Sequence, residues 1–224
     1  LLEIGPGKGA MTSLLLENCE SLTAIEIDKD LIRFLKKAYG DRKNFNLIEK
    51  DILLYDPKEL VRVNKLIGNI PYNISTPIIE WIIDNKSSFD EIFLMLQKEF
   101  GERCVAQPNT KSYGRLSIFV QCFFDVTVIR EVDKSSFDPS PKVQSIFLKL
   151  IPKVSDMTPN SILMKNLSTL TREAFSKRRK LITNSLKSFF TEEDLVNLGI
   201  ERKSRPENLS VETYIKLAKS IQSG

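Results

Sequence analysis

The chain has 224 residues, 42% of them hydrophobic and 28% charged, which is the profile of a globular protein long enough for one full core and a small appendage. It contains no histidine, so imidazole-based triads and His-ligated metals are excluded, and Cys19, Cys104 and Cys122 lack the paired spacing of a zinc site or disulfide framework. No run approaches the roughly 20 apolar residues that cross a bilayer, no signal peptide is visible, and the net charge is a mild +4, all as expected of a reduced cytoplasmic protein without a membrane partner.

Residues 1–4 read as a strand that enters a glycine loop at 5–9. Leu1 is not an initiator methionine and the first core strand is already under way, so a preceding segment is expected. Residues 10–18 read as a helix, 21–27 as a strand, 29–38 as a helix and 45–49 as a strand, and a fourth strand begins at 65–68. Ser75-Thr76-Pro77 offers a cap and an N1 proline to a helix at 78–83. A fifth strand at 91–96 leads into a helix ending near Ala106. This alternation marks a parallel sheet flanked by helices, a Rossmann-like α/β fold.

The pattern then changes. Residues 117–128 and 145–150 alternate or run apolar around a Pro-rich stretch at 137–141. That is the pattern of a hairpin closing one edge, so the expected sheet is mixed and seven-stranded. Residues 152–159 read as a linker. Beyond it a 3.6-residue period predicts helices at 162–175, 178–189, 191–198 and 211–221, with Thr191 and Ser210 as N-caps and Gly199 as a helix end. The expected domains are therefore an α/β domain at 1–152 and a small all-helical one at 153–224. The first carries 20 Lys/Arg against 21 Asp/Glu, or −1, and the second 13 against 8, or +5. A basic helical section beside a neutral body suits a polyanionic partner.

Glu3-Ile-Gly5-Pro-Gly7-Lys-Gly9 lies between a strand and a helix, where glycines let the backbone approach a ligand. Glu26 ends the second strand and is placed to accept ribose hydroxyl hydrogens, with Ile27 beside it. The Gly-x-Gly-x-Gly spacing is not the one that aims a helix at a pyrophosphate, and an anion at Glu3 would repel a diphosphate. The set suits a ligand carrying an ammonium and a sulfonium, namely S-adenosylmethionine. Asp51 follows the third strand, positioned for the adenine amino group, with Ile52 against the ring. The alternative role of Glu26 and Asp51 is to cap the helices that follow them.

Asn69-Ile70-Pro71-Tyr72 ends the fourth strand. Adenine N6 is a poor nucleophile because its lone pair is delocalised. The Asn69 side-chain oxygen and the Ile70 carbonyl can each accept one amine hydrogen, Pro71 fixes the turn and removes a competing donor, and Tyr72 can stack on the base. No metal is required. A paired base cannot reach such a pocket, so it must be swung out. Phe137, beside Pro139, is the candidate second plate, with Lys142 near the adjacent phosphate.

These residues resemble the KsgA/RsmA ribosomal RNA adenine dimethyltransferases over nearly the whole chain. The shared segments are Glu-Ile-Gly-Pro-Gly (3–7), Glu26, Asp51, Asn-Ile-Pro-Tyr-Asn-Ile-Ser (69–75), Leu-Gln-Lys-Glu (96–99), Tyr-Gly-Arg-Leu-Ser (113–117), Phe-Asp-Pro-Ser-Pro-Lys-Val-Gln-Ser (137–145) and Phe-Ser-Lys-Arg-Arg-Lys (175–180). The first four are shared with large-subunit enzymes that confer macrolide resistance. The resemblance implies dimethylation of two adjacent adenosines near the 3′ end of small-subunit (16S) ribosomal RNA, within an assembling 30S subunit and by a monomer. It implies cofactor contacts from Gly5, Glu26, Asp51 and Asn69, catalysis by Asn69 and Tyr72, stacking by Phe137, and an RNA-gripping helical domain. In it, Lys177, Arg178, Arg179 and Lys180 become phosphate contacts. It also implies an N-terminal segment closing over the methionine end of the cofactor, so this chain alone is expected to bind cofactor weakly and turn over slowly. A large-subunit adenine methyltransferase and a non-catalytic assembly factor remain the alternatives.

Overall fold

Parallel strands covered on both faces need apolar side chains throughout, and Leu2, Leu22, Ala24, Leu66, Ile92 and Leu94 are all fully buried. A computed structural model describes residues 1–59, 63–136, 143–154, 158 and 161–221. The chain divides into two compact units, Leu1–Gly101 with Val126–Pro152, and Glu102–Asp125 with Lys153–Gly224.

In the first unit the strands are β1 (Leu2–Ile4), β2 (Leu22–Glu26), β3 (Phe45–Glu49), β4 (Lys65–Asn69), β5 (Glu91–Gln97), β6 (Phe124–Val132) and β7 (Ser145–Pro152). They form one seven-stranded sheet in the order β3-β2-β1-β4-β5-β7-β6. The pairs from β3 through β5 are parallel and β5–β7 is antiparallel, so the sheet is mixed, as the sequence implied. Helices α1 (Ala10–Asn18), α2 (Lys29–Tyr39), α3 (Ser75–Asp84) and α4 (Lys98–Val105) follow β1, β2, β4 and β5. Burying one leucine or isoleucine from water stabilises by about 1.5–3 kcal/mol, so the seam of Leu2, Leu66, Ile92 and Leu150, paired strand to strand, is a large share of what holds the sheet.

The second unit contains α5 (Arg115–Phe123), α6 (Ile162–Ser176), α7 (Ile182–Ser185), α8 (Glu192–Asn197) and α9 (Val211–Ser220). Helices α6 and α9 pack through Leu167, Leu170, Ala174, Tyr214 and Leu217, all buried. The Phe175 ring lies between Tyr113 and Tyr214, with centroids 6.3 and 6.0 Å away. Both phenols are satisfied, Tyr113 donating to the Leu209 carbonyl and Tyr214 to that of Pro206, each at 2.9 Å. Segment 102–125 packs with these helices, so the unit starts earlier than the sequence boundary at 152.

Three local expectations are corrected. Residues 117–128 are not one strand, because α5 occupies Arg115–Phe123 and β6 starts at Phe124. The run is mostly apolar, interrupted at Gln121, Asp125 and Thr127, and so short a pattern could not separate a buried helix from a buried strand. The helical choice is set by Ser117, whose hydroxyl accepts from Gly114 N (3.0 Å) and donates to the Arg103 carbonyl (2.6 Å). Residues 178–189 are not a continuous helix, and only α7 is α-helical there. Lys180 N bonds back to the Lys177 carbonyl, and Ile182 N is spent on the Ser204 carbonyl, so tertiary hydrogen bonds overrode the 3.6 period. Ser75 is not a cap: it lies inside α3, with Ile74 at the N-cap, and its hydroxyl donates to the Pro71 carbonyl. Thr191, Ser210 and Gly199 take the expected roles. Thr191 and Asp194 form a reciprocal capping box, Ser210 accepts from Thr213 N, and Gly199 has φ +83°.

Candidate active site

The register brings the strand ends into line. Ile4 pairs with Ile25 and with Gly68, and Glu26 pairs with Glu49, so Gly5, Glu26 and Asn69 leave the sheet side by side, with Asp51 just past the tip of β3. This is the carboxyl edge, where open α/β sheets bind ligands.

Gly5 and Gly7 adopt φ +60° and +59°, a left-handed conformation that costs an L-residue about 1–2 kcal/mol. A Cβ built on either meets no heavy atom within 4 Å, so an open cradle and not crowding by the protein borders them. Gly5 N bonds to the Ile25 carbonyl at 3.0 Å. The Glu26 carboxylate accepts Gly7 N (3.3 Å) on Oε2, and Ile27 N (2.9 Å) and Asp28 N (3.0 Å) on Oε1. It therefore locks the loop after β1 to the loop after β2. A carboxylate offers about four acceptor positions, so Glu26 keeps capacity for about one further donor rather than two.

Glu3 has no exposed surface. Its Oε2 accepts the Thr12 hydroxyl from α1 at 2.8 Å, while Oε1 is buried with no partner among the described residues. Burial pushes its carboxyl up to about 7, with the Thr12 bond pulling the other way. A buried carboxyl with one unpartnered oxygen, two residues before the first glycine of the loop, is chemically suited to a cationic ligand, which would draw it to its charged form, and it disfavours a diphosphate. The group implied by the sequence, S-adenosylmethionine, thus fits the residues present. Asp51 Oδ1 accepts Leu53 N at 2.9 Å and caps a 3-10 turn at Ile52–Leu54, so the capping role foreseen as an alternative is filled by one oxygen. Ile52 is 7% exposed and Ile27 66%, so Ile27 presents the larger apolar surface.

At the end of β4, Ile70 N is tied to the Met95 carbonyl of β5 at 3.0 Å. No described donor bonds to the Asn69 side chain or to the Ile70 carbonyl. Pro71 (φ −56°, ψ 137°) turns the chain into a 3-10 turn at Tyr72–Ile74. The Tyr72 ring is 39% exposed, and its hydroxyl lies 3.3 Å from Ser145 Oγ at the start of β7.

Residues 1–223 match the family described as ribosomal RNA adenine dimethylase. The chain belongs to that family. It is 40% identical to the Ribosomal RNA small subunit methyltransferase A of Legionella pneumophila, over all of this chain and 87% of that protein. It is 38% identical to the protein of the same name from Coxiella burnetii, over 97% of this chain and 85% of that one. A dimethyladenosine transferase from Plasmodium falciparum has the same fold, with TM-score 0.81 and 32% identity over 96% of this chain and 87% of that one. A mixed seven-stranded Rossmann-like sheet is what an adenine dimethylase of this family uses, and such enzymes depend on S-adenosylmethionine.

Of the remaining expected site residues, Phe137, Pro139 and Lys142 lie outside the described residues. In the helical unit, Lys177, Arg179 and Lys180 are exposed and line a hollow of about 570 Å³ together with Leu181, Asn184, Lys187 and Arg205. Arg178 points elsewhere: its Nε pairs with Glu207 at 2.5 Å and its NH2 donates to the Thr110 carbonyl at 3.2 Å. Sequence reasoning missed Thr12, Ser145, Lys187 and Arg205. The first has a faint signal, a hydroxyl four residues before Leu16 on the buried face of α1, and Lys187 and Arg205 lie 7 or more positions from the basic run.

Proposed function

We propose that this adenine dimethylase transfers two methyl groups to N6 of each of two adjacent adenosines near the 3′ end of small-subunit (16S) ribosomal RNA. We place the reaction in the cytoplasm, on an assembling 30S subunit and by a monomer. Among the described residues no helix is long and apolar enough to cross a membrane. The observation that carries this reading is the alignment of Asn69 with Gly5 and Glu26 on one sheet edge.

Gly5, Gly7, Glu26, Ile27, Asp51 and Ile52 would hold the adenosine half of the cofactor, and Glu3 the charge of its sulfonium and amine end. When bound, S-adenosylmethionine supplies a methyl carbon activated for in-line displacement. The protein's own contribution is orientation. In the first transfer the Asn69 side-chain oxygen and the Ile70 carbonyl each accept one hydrogen of the target amine, and in the second, one of them accepts the single N–H left, which turns the nitrogen lone pair out of conjugation and toward the incoming carbon. Pro71 has no N–H to compete for those acceptors, and Tyr72 supports the swung-out base by stacking. The methylated nitrogen is acidic enough to release its proton to water, so no strong base is needed, and positioning and fixed dipoles lower the barrier.

The helical unit would supply RNA affinity. Lys177, Arg179, Lys180, Lys187 and Arg205 make no ion pair among the described residues, so their charge is available to phosphates. Phe137 and Pro139 are assigned to the base and Lys142 to its phosphate by the motif. The test is incubation of full-length protein with labelled cofactor and unmethylated small subunits, followed by digestion. N6,N6-dimethyladenosine is expected, and its loss with Asn69→Ala. Label in naked large-subunit RNA instead would favour the large-subunit alternative, and no cofactor binding would favour a non-catalytic assembly factor.

A further inference from the structure

The hydrogen bond between Tyr72 and Ser145 joins two parts of the first unit that are 73 positions apart. Tyr72 leaves the tip of β4. Ser145 opens β7, which runs antiparallel to β5, so its first residue stands level with the last residue of β5, Gln97. The tyrosine therefore reaches across the end of β5 to the next strand. The two partners differ in need. Ser145 is only 2% exposed, whereas the Tyr72 ring is 39% exposed and its hydroxyl could be served by water. A half-exposed ring turns about two side-chain torsions, and an anchor on a strand removes that freedom. Ser145 is held rigidly in turn: Gln144, its neighbour, accepts Lys98 N at 2.9 Å, and Lys98 Nζ bridges Gln144 (3.5 Å) and Glu131 of β6 (2.7 Å).

We propose that Ser145 is a positioning residue for methyl transfer: its hydroxyl fixes the plane of Tyr72, and thereby the plane of the target adenine stacked on it. This rests on the reading of Tyr72 as the stacking face. Ser145 touches neither base nor cofactor, so its effect belongs in kcat. Docking of the RNA through phosphates and binding of cofactor are left alone.

The experiment compares Ser145→Ala, Tyr72→Phe and the double variant in methylation of unmethylated small subunits. Tyr72→Phe keeps the ring and deletes the same hydrogen bond from its exposed end, so it serves if Ser145→Ala misfolds. A net hydrogen bond corresponds to roughly a 3- to 10-fold effect, so kcat should fall by about that factor in each single variant, with KM for the subunit and Kd for cofactor unchanged. The double variant should be no slower than the slower single one. Unchanged kcat in Tyr72→Phe, or losses that multiply in the double variant, would overturn the assignment. So would a Ser145→Ala protein that loses thermal stability yet keeps kcat. Wild-type protein that fails to dimethylate would instead overturn the function proposed above, and this inference with it.

Discussion

The absence of histidine makes one buried carboxylate visible in solution. Between pH 5.5 and 8.5 no imidazole titrates, and the carboxyls of Glu91, Asp133, Asp194 and Glu212 are held below their usual range. Burial raises the Asp84 carboxyl and the thiols of Cys19, Cys104 and Cys122, and what they add to the pH dependence is common to wild type and a Glu3 variant. Glu3 titrates at about 7 in the folded chain and near 4.5 when exposed. The folded state therefore binds more protons across this interval, so stability falls as pH rises and levels off above the folded value. The whole gap is worth about 3 kcal/mol, of which about 2 kcal/mol falls between pH 5.5 and 8.5. That corresponds to a thermal midpoint lower by about 4–8 °C at the upper pH. Glu3→Gln should keep the Thr12 bond and flatten the slope by this amount. Its amide nitrogen would sit where Oε1 has no partner, at a pH-independent cost of about 1–3 kcal/mol, so the slope and not the level is diagnostic. Thermal melts of both proteins at four pH values measure it. A wild-type midpoint that stays level or rises across the interval, or the same slope in Glu3→Gln, would refute an uncompensated carboxylate at this position.

Gly7→Ala forces an L-residue into φ +59°, so stability should fall by about 1–2 kcal/mol, and its methyl enters the open cradle assigned to the cofactor, so cofactor Kd should rise about tenfold or more; a calorimetric Kd equal to wild type would count against the cradle. Arg178→Ala and Arg179→Ala should separate. The first should cost about 1 kcal/mol of stability, because it breaks the Glu207 pair, and leave the salt dependence of RNA binding alone. The second should leave the melt alone and lower the slope of log K against log salt by about 0.9, and equal slopes in the two would dissolve the distinction. Gly101→Ala puts a Cβ 2.1 Å from Ile146 Cγ2, so in urea melts it should cost about 1–3 kcal/mol in the wild-type chain and clearly less in an Ile146→Ala background; equal costs in both would refute the clash.

Much of this protein was legible in the chain itself. The first five strands and the helices between them follow from apolar runs bounded by turn residues, and such local patterns do not depend on what packs on them. The same holds for the glycine loop, Glu26 and Asn69-Ile70-Pro71-Tyr72, because chemistry at strand ends is written in short motifs. Tertiary structure decided what period alone left degenerate. Residues 115–123 became a helix because Ser117 tied Gly114 to the Arg103 carbonyl, and 177–181 became a turn because Ile182 and Arg178 spent their donors on Ser204, Glu207 and Thr110. It also decided the partners of the site. Thr12 under Glu3, Ser145 under Tyr72, and Lys187 with Arg205 beside Lys180 are brought together only by folding, since a hydrogen bond or a shared field acts through space and leaves no spacing in the sequence to read.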